Sequence, residues 1–204
     1  MGTSSIFIAG TLVLATFLGS GTARAEAPAR NVVVITVDTL RADVLGAYGS
    51  EEGASPNIDA FARDAMVFEH AWAHSTWTVP SYISFMSSLH VKTHGWNHGR
   101  DETDWRAMSP DLTTLAEYLS RQGFESRAWV ANTVLEKKLG FDRGFSFFEV
   151  HRAEKRMSQW AHAQMETWKP GGRHFLYLHL MSPHRPLRPS PEAIRRFGLV
   201  GELP

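Results

Sequence analysis

The chain has 204 residues, of which 43% are hydrophobic and 21% charged, a composition typical of one globular domain with its own core. The 21 basic residues balance 21 acidic ones, so the net charge gives no indication of a nucleic-acid partner or an anionic membrane surface. The chain has no cysteine, which excludes disulfides, thiolate metal ligands and a thiol nucleophile.

The N-terminal segment has the features of an export signal. Residues 6–18 form an apolar stretch that is short for a membrane span, and small residues follow at the signal-peptidase spacing around Ala25 and Ala27. We therefore predict a signal peptide over residues 1–27, cleaved near Ala25 or Ala27, and a mature domain over residues 28–204. The mature chain is expected in the periplasm or outside the cell, without a membrane span. A retained N-terminal membrane anchor is the alternative.

The first predicted strand covers residues 31–37, a β-branched run typical of a strand buried on both faces. Residues 40–48 predict a short helix that ends at Gly49, and Ser55 and Pro56 predict the start of a helix with one apolar face. The apolar residues 66–68 predict a short strand.

A loop is predicted over residues 71–79, and Pro80 suits the first turn of a helix that continues to residue 89. Residues 93–111 predict a polar surface loop, and Gly123 ends an amphipathic helix over residues 112–122. The remaining predicted elements are strands at 126–131 and 145–150, a helix at 152–168 and a strand at 174–180.

This alternation of strands and helices predicts an α/β fold with a mainly parallel sheet covered on both faces. Ligands of such sheets bind beyond the carboxyl ends of the strands, where Asp38 and His184 follow predicted strands. Asp38 could bind a divalent cation or cap the next helix, and the position alone favours neither. His184 lies between two prolines, which could hold its imidazole in a fixed direction for proton donation, although a loop histidine more often has no catalytic role.

A hydroxyl group beside a helix N-terminus is the next candidate. The segment 75–81 has Thr78 and Ser81 around the predicted helix start, where free N–H groups and the helix dipole stabilise an anion. A threonine hydroxyl becomes a good nucleophile only when a base or a metal activates it. On spacing alone, capping of the helix by either hydroxyl is the better interpretation.

Five segments occur in an order that resembles the sulfatase family of the alkaline phosphatase superfamily. They are the strand with its Asp-Thr-Leu-Arg-Ala-Asp extension at 31–43, Ser-Pro-Asn-Ile-Asp at 55–59, the hydroxyl-rich segment at 71–89, Gly-Phe-Asp-Arg-Gly-Phe at 140–145, and the strand that leads to Pro-His at 177–184. The resemblance covers about residues 31–190 and implies the N-terminal part of an alkaline-phosphatase-like α/β/α sandwich. It also implies a divalent cation, calcium in the first place with manganese or zinc as alternatives.

Carried over residue by residue, the resemblance makes Asp38 a metal ligand and Thr78 the metal-bound nucleophile. His184 would contact the transferred group or the leaving oxygen, and Ser81 and Tyr82 would lie against the substrate. Asn132, which follows the strand ending at Ala131, could donate to an anionic oxygen. The implied substrate is a sulfate or phosphate ester.

Several residues depart from the family pattern. Tyr82 stands where the family has arginine, and Thr39 stands where many members have a second aspartate. The Lys-x-His pair that the family has mid-chain finds no convincing counterpart here, and without cysteine or serine at position 78 the formylglycine of most sulfatases cannot form, which shifts the expectation toward phosphate or phosphonate esters. Pro204 follows soon after the His184 segment, so we expect a partial domain whose further metal ligands come from a C-terminal half or an oligomer partner. A phosphotransferase of the same superfamily and an inactive, truncated binding protein are the alternatives to a hydrolase.

Overall fold

The structure is a computed structural model that describes residues 31–96 and 105–198, together with the backbone of a strand at Ser5–Ile8. The chain divides into two compact units. The first unit consists of Met1–Thr36 and Ala71–Leu180, and the second consists of Val37–His70 and Met181–Pro204. The predicted cleavage positions Ala25 and Ala27 lie outside the described residues.

A parallel sheet forms the centre of the first unit. Its strands are β1 (Ser5–Ile8), β2 (Asn31–Val37), β3 (Glu125–Val130), β4 (Phe147–Val150) and β5 (His174–Leu180), and their order in the sheet is β1-β2-β5-β3-β4. The pairs β1/β2, β3/β4 and β3/β5 are parallel, which confirms the predicted mainly parallel α/β fold. Strand β5 has the bounds that its apolar run predicts, since its residues Phe175 to Leu178 are buried on both faces.

In the part of the first unit that the structure describes, the sheet is accompanied by the helices α2 (Thr78–Ser87), α3 (Val91–His94), α4 (Leu115–Arg121) and α5 (Glu154–Glu166). The apolar side of α2 supplies Val79, Ile83 and Met86 to the core, where they join aromatic side chains of the sheet. Helix α4 begins with a capping box in which the Thr114 hydroxyl accepts from the Glu117 N–H at 3.1 Å. The predicted helices at 80–89, 112–122 and 152–168 are thus confirmed with ends that differ by a few residues.

The segment at 140–145 packs against α4. The Arg143 guanidinium donates to the Glu117 carboxylate and to the carbonyl oxygens of Ser109 and Leu112. Gly144 has a φ of 85°, and a Cβ at this position would lie 2.1 Å from the Glu117 backbone nitrogen. The glycine is therefore required both by its backbone conformation and by the close approach of the helix backbone.

The second unit contains two 3₁₀ turns, Ala42–Val44 and Gly46–Tyr48, and the helices α1 (Pro56–Ala62) and α6 (Pro191–Phe197). The Ser55 hydroxyl donates to the Asp59 carboxylate at 2.9 Å, and the same carboxylate accepts from the Ala47 N–H at 2.9 Å. These bonds tie the start of α1 to the second 3₁₀ turn. The single helix predicted over residues 40–48 is wrong in type, although it does end at Gly49, which has a φ of 95°.

The strand predicted at residues 66–68 is wrong. These residues are irregular, and the Met66 side chain is 82% exposed. Three apolar residues suggest a strand only through their side chains, whereas a strand also requires hydrogen bonds to a neighbour. Among the helices of the described ranges, none combines the length and the apolar character needed to cross a membrane.

Candidate active site

Thr78 is the first residue of α2, a helix of 10 residues. Trp77 occupies the N-cap position in an extended conformation, and no side chain caps the helix there. Thr78 therefore does not have the capping role that its spacing favoured. As the first residue of the helix, Thr78 lies at the positive end of the helix dipole, where negative charge is stabilised.

Asn132 holds the Thr78 hydroxyl from the end of strand β3. The Asn132 Nδ2 donates to the Thr78 Oγ1 at 3.3 Å, and the Asn132 Oδ1 accepts from the Val134 N–H at 3.1 Å. The second bond fixes which way the amide faces. Asn132 is itself buried, and the neighbouring Ala131 N–H extends the sheet by donating to the His179 carbonyl at 2.8 Å. The structure thus brings together two predicted site residues that lie far apart in the sequence.

Ser81 and Tyr82 follow on the same helix but face different surroundings. The Ser81 Oγ donates to the Ser75 carbonyl at 3.0 Å and so holds the loop that precedes α2. The Tyr82 side chain is 4% exposed, and its hydroxyl donates to the Phe141 carbonyl at 3.1 Å. Burial raises the pKa of the Tyr82 phenol well above its ordinary value of 10.0, so the group stays neutral. This location favours a packing role for Tyr82 over the predicted substrate contact.

Asp38 and His184 belong to the second unit. The first 3₁₀ turn after Asp38 begins at Ala42, with Arg41 as its N-cap, so Asp38 does not cap it. The next residue, Thr39, has a φ of 58°, a conformation that a β-branched residue rarely adopts. The His184 Nδ1 donates to the Arg185 carbonyl at 2.7 Å, which leaves the Nε2 of the neutral ring as the acceptor.

The fit of a divalent cation can be tested against these residues. In the parts of the chain that the structure describes, no three histidine, aspartate or glutamate side chains lie close enough together to hold a metal ion. Asp38 and Thr78 would offer one carboxylate and one hydroxyl, whereas calcium takes six to eight oxygen ligands. The described residues therefore do not make up the predicted cation site.

The first unit also contains two buried polar clusters that sequence patterns did not predict. The His94 imidazole lies 3.0 Å from the Ser84 Oγ on α2, and the Tyr177 hydroxyl lies 3.0 Å from both the Thr36 Oγ1 and the His179 Nδ1. No local pattern marks the second cluster. The first joins residues ten positions apart on two different helices, and no local pattern marks that contact either.

The chain is similar to known proteins in both sequence and structure. Residues 30–198 match the family model for Sulfatase. Human iduronate 2-sulfatase is 33% identical over 111 residues, which cover 52% of this chain and 19% of that protein. An arylsulfatase of Clostridium perfringens is 30% identical over 97 residues, which cover 48% of this chain and 19% of that protein. The chain thus matches about a fifth of the length of these relatives.

Two solved structures share the fold at low sequence identity. The first is a protein in complex with its substrate, D-glucosamine-2-N,6-O-disulfate, with a TM-score of 0.69 and 15% identity over 83% of this chain and 37% of that one. The second is the phosphonate monoester hydrolase of Agrobacterium radiobacter, with a TM-score of 0.62 and 19% identity over 82% of this chain and 44% of that one. At such identities the similarity shows the fold alone.

Proposed function

Because the chain belongs to the sulfatase family, we propose that the protein hydrolyses sulfate or phosphate esters with Thr78 as its nucleophile. One observation carries this proposal: the Thr78 hydroxyl is at the N-terminus of α2 and accepts a hydrogen bond from Asn132 at 3.3 Å. A hydroxyl that accepts this bond directs its own proton elsewhere. The hydroxyl belongs to the first residue of the helix, at the positive end of the helix dipole, which suits attack on an anionic ester.

The proposed reaction has two steps. The Thr78 hydroxyl loses its proton to solvent, and its oxygen forms a bond to the phosphorus or sulfur atom as the bond to the alcohol oxygen breaks. The alcohol oxygen leaves with the Nε2 proton of His184, which must be in its charged imidazolium form because the Nδ1 proton is bonded to the Arg185 carbonyl. Water then cleaves the covalent Thr78 ester, which releases the inorganic anion and restores the hydroxyl. Asn132 is the proposed donor to an oxygen of the transferred group.

The absence of cysteine bears on the choice of anion. A formylglycine sulfatase can release sulfate by elimination, whereas a threonine ester must be cleaved by water. This chemistry favours phosphate or phosphonate esters over sulfate esters for this chain. Members of the family are generally metal-dependent, and calcium, with manganese or zinc as alternatives, stays a prediction; Asp38 is its proposed ligand together with Thr78.

Turnover of aryl esters tests the proposal directly. The full chain would be offered 4-nitrophenyl phosphate and 4-nitrophenyl sulfate with calcium, manganese or zinc, beside the variants Thr78→Ala and Thr78→Ser. We expect Thr78→Ala to lose about 10³-fold in kcat and Thr78→Ser to keep part of the activity, since serine retains a hydroxyl. Intact-mass measurement of the quenched wild-type reaction should show the covalent adduct.

Thr76→Ala is the matched control, because Thr76 is an exposed threonine two residues away. Its activity should equal that of the wild type. Equal turnover in Thr78→Ala and the wild type would refute the nucleophile. No turnover with any metal, and no change of melting temperature on adding one, would instead favour the binding protein.

Export of the mature chain is also part of the proposal. The supporting observation is the apolar stretch at residues 6–18 with small residues around Ala25 and Ala27. N-terminal sequencing of the protein recovered from the periplasm or the medium should give a start just after one of these alanines. A mature protein that begins at Met1 and sediments with membranes would indicate the retained anchor.

A further inference from the structure

His94 makes hydrogen bonds on both sides of its ring inside the first unit. The His94 Nδ1 accepts from the Trp96 backbone N–H at 3.1 Å, so the proton of the neutral ring lies on Nε2. The Nε2 then donates to the Ser84 Oγ at 3.0 Å, and the Pro80 carbonyl is a second acceptor for the ring. Ser84 and Pro80 both belong to α2, the helix that begins at Thr78.

Trp96 continues this connection to the residue before Thr78. The rings of Trp96 and Trp77 lie 5.5 Å apart between centroids, and the Trp96 Nε1 donates to the Arg106 carbonyl at 2.7 Å. A second tryptophan, Trp105, lies 6.4 Å from the Trp77 ring. The N-cap residue of α2 therefore packs against Trp96, whose backbone N–H is bonded to the His94 ring.

The charge of His94 matters for these bonds. Burial lowers the pKa of the His94 imidazole below its ordinary value of 6.5, and the nearby His90 and His74 lower it further, whereas the Pro80 carbonyl raises it. Lys92, the other basic group of this helix, is exposed. A proton added to Nδ1 would face the Trp96 N–H, so that two donors would oppose each other.

We propose that His94 is a positioning residue for Thr78: through Ser84 and Trp96 it holds the first turn of α2 in the place where the Thr78 hydroxyl meets Asn132. An effect of His94 on catalysis rests on the proposed function, whereas its effect on the position of the first turn of α2 does not. Protonation of His94, or its removal, releases Trp96 and with it Trp77, and the bond between Thr78 and Asn132 weakens. His94 itself acts only through other residues.

The side-chain amide of Asn132 reports on this bond directly, without any activity. We would record its ¹H–¹⁵N NMR signal in the full chain and take Thr78→Val, which lacks the hydroxyl, as the reference for a lost bond. In His94→Ala the Asn132 signal should move more than halfway toward that reference. In the wild type it should move in the same direction as the pH falls through the pKa of His94, which burial lowers below its ordinary value of 6.5.

Two further substitutions separate the two bonds of the ring and protect the test against misfolding. His94→Asn keeps an acceptor for the Trp96 N–H, and His94→Gln keeps a donor for Ser84, while neither titrates. Both should abolish the pH response. His90→Asn is the control, because His90 caps α3 by accepting from the Lys92 N–H at 3.2 Å and asparagine can make the same bond; it should leave the Asn132 signal unchanged.

An Asn132 signal that stays at its wild-type position in folded His94→Asn and His94→Gln, or a pH response that persists in them, would overturn the proposal. Kinetics supply the second readout: Thr78-dependent kcat should fall about tenfold in His94→Ala, with KM changed by less than about twofold. If the wild type shows no Thr78-dependent turnover, the proposed function fails, and the Asn132 signal still decides the role of His94.

Discussion

Gly144 provides the sharpest test of the packing of the first unit. Replacement by alanine would place a methyl group 2.1 Å from the Glu117 nitrogen, 2.5 Å from the Ala116 carbonyl carbon and 2.7 Å from the Glu117 Cα. All three are backbone atoms of α4 or its first turn, so no side chain can rotate away to make room. Either the segment at 140–145 or the start of α4 must move.

Two costs add up at this position. An L-residue at a φ of 85° costs about 1–2 kcal/mol relative to glycine, and forcing an extra methyl group into a packed core costs about 1–3 kcal/mol. We therefore expect Gly144→Ala to lower the free energy of unfolding by about 2–5 kcal/mol. Gly123 offers the matched control, because its φ is 82° and nothing lies within 4 Å of a Cβ built there. Gly123→Ala should show only the conformational cost, about 1–2 kcal/mol.

Urea unfolding followed by tryptophan fluorescence would measure both variants. The chain has 7 tryptophans, and all of them lie between positions 72 and 168, so the signal reports on the first unit. The difference between the two variants isolates the clash with α4. If Gly144→Ala loses no more stability than Gly123→Ala, the close packing of this segment against α4 is refuted.

Three further predictions use the same unfolding assay. Ser88 ends α2 with a φ of 57°, and Ser88→Gly should raise the free energy of unfolding by about 0.5–1 kcal/mol. The reason is that relief of the left-handed backbone conformation outweighs the added entropy of the unfolded chain. A lower free energy of unfolding in this variant would contradict the prediction. Tyr82→Phe should cost about 1–3 kcal/mol, because the buried Phe141 carbonyl loses its donor, and it should leave KM unchanged, whereas a raised KM would indicate a substrate contact. Folding lowers the pKa of His94, so the unfolded chain takes up a proton on this imidazole at a higher pH than the folded chain does. The free energy of unfolding should therefore be at its full value above about pH 6.5 and decline below it. His94→Gln should flatten that decline, and an equal decline in both proteins would show that His94 is not its cause.

Local sequence patterns predicted the elements whose cause is local. Strand β5 has its predicted bounds because the apolar run from His174 to Leu180 is long enough to be buried on both faces. Helix α4 ends where expected because Gly123, with a φ of 82°, adopts a conformation that breaks the helix. The strand predicted at residues 66–68 is wrong because three apolar residues do not indicate whether a neighbouring strand pairs with them.

The candidate site likewise has some features that the sequence predicts and others that it does not. The order of motifs along the chain pointed to Thr78, and the end of a predicted strand pointed to Asn132, but the bond between their side chains joins residues 54 positions apart. The packing of Tyr82 against Phe141, with ring centroids 5.2 Å apart, likewise depends on a distant segment. His94 went unnoticed because its partners, Ser84 and Trp96, carry no signal of their own in the sequence. Contacts between residues that are distant in the sequence could be identified only in the folded chain.

The sheet order has a consequence for the synthesis of this chain. Strand β2 is made early, yet its neighbour β5 follows far later, and the Thr36 and Tyr177 hydroxyls that meet at 3.0 Å are 141 positions apart. At a translation rate of about 5–20 residues per second, β2 waits roughly 7–30 s for its partner to be made. During this interval Val33 and Val34, which are buried in the finished sheet, are exposed on the nascent chain. The sheet of the first unit can therefore be completed only after Leu180 has been synthesised, so β2 spends this interval without one of its two neighbours.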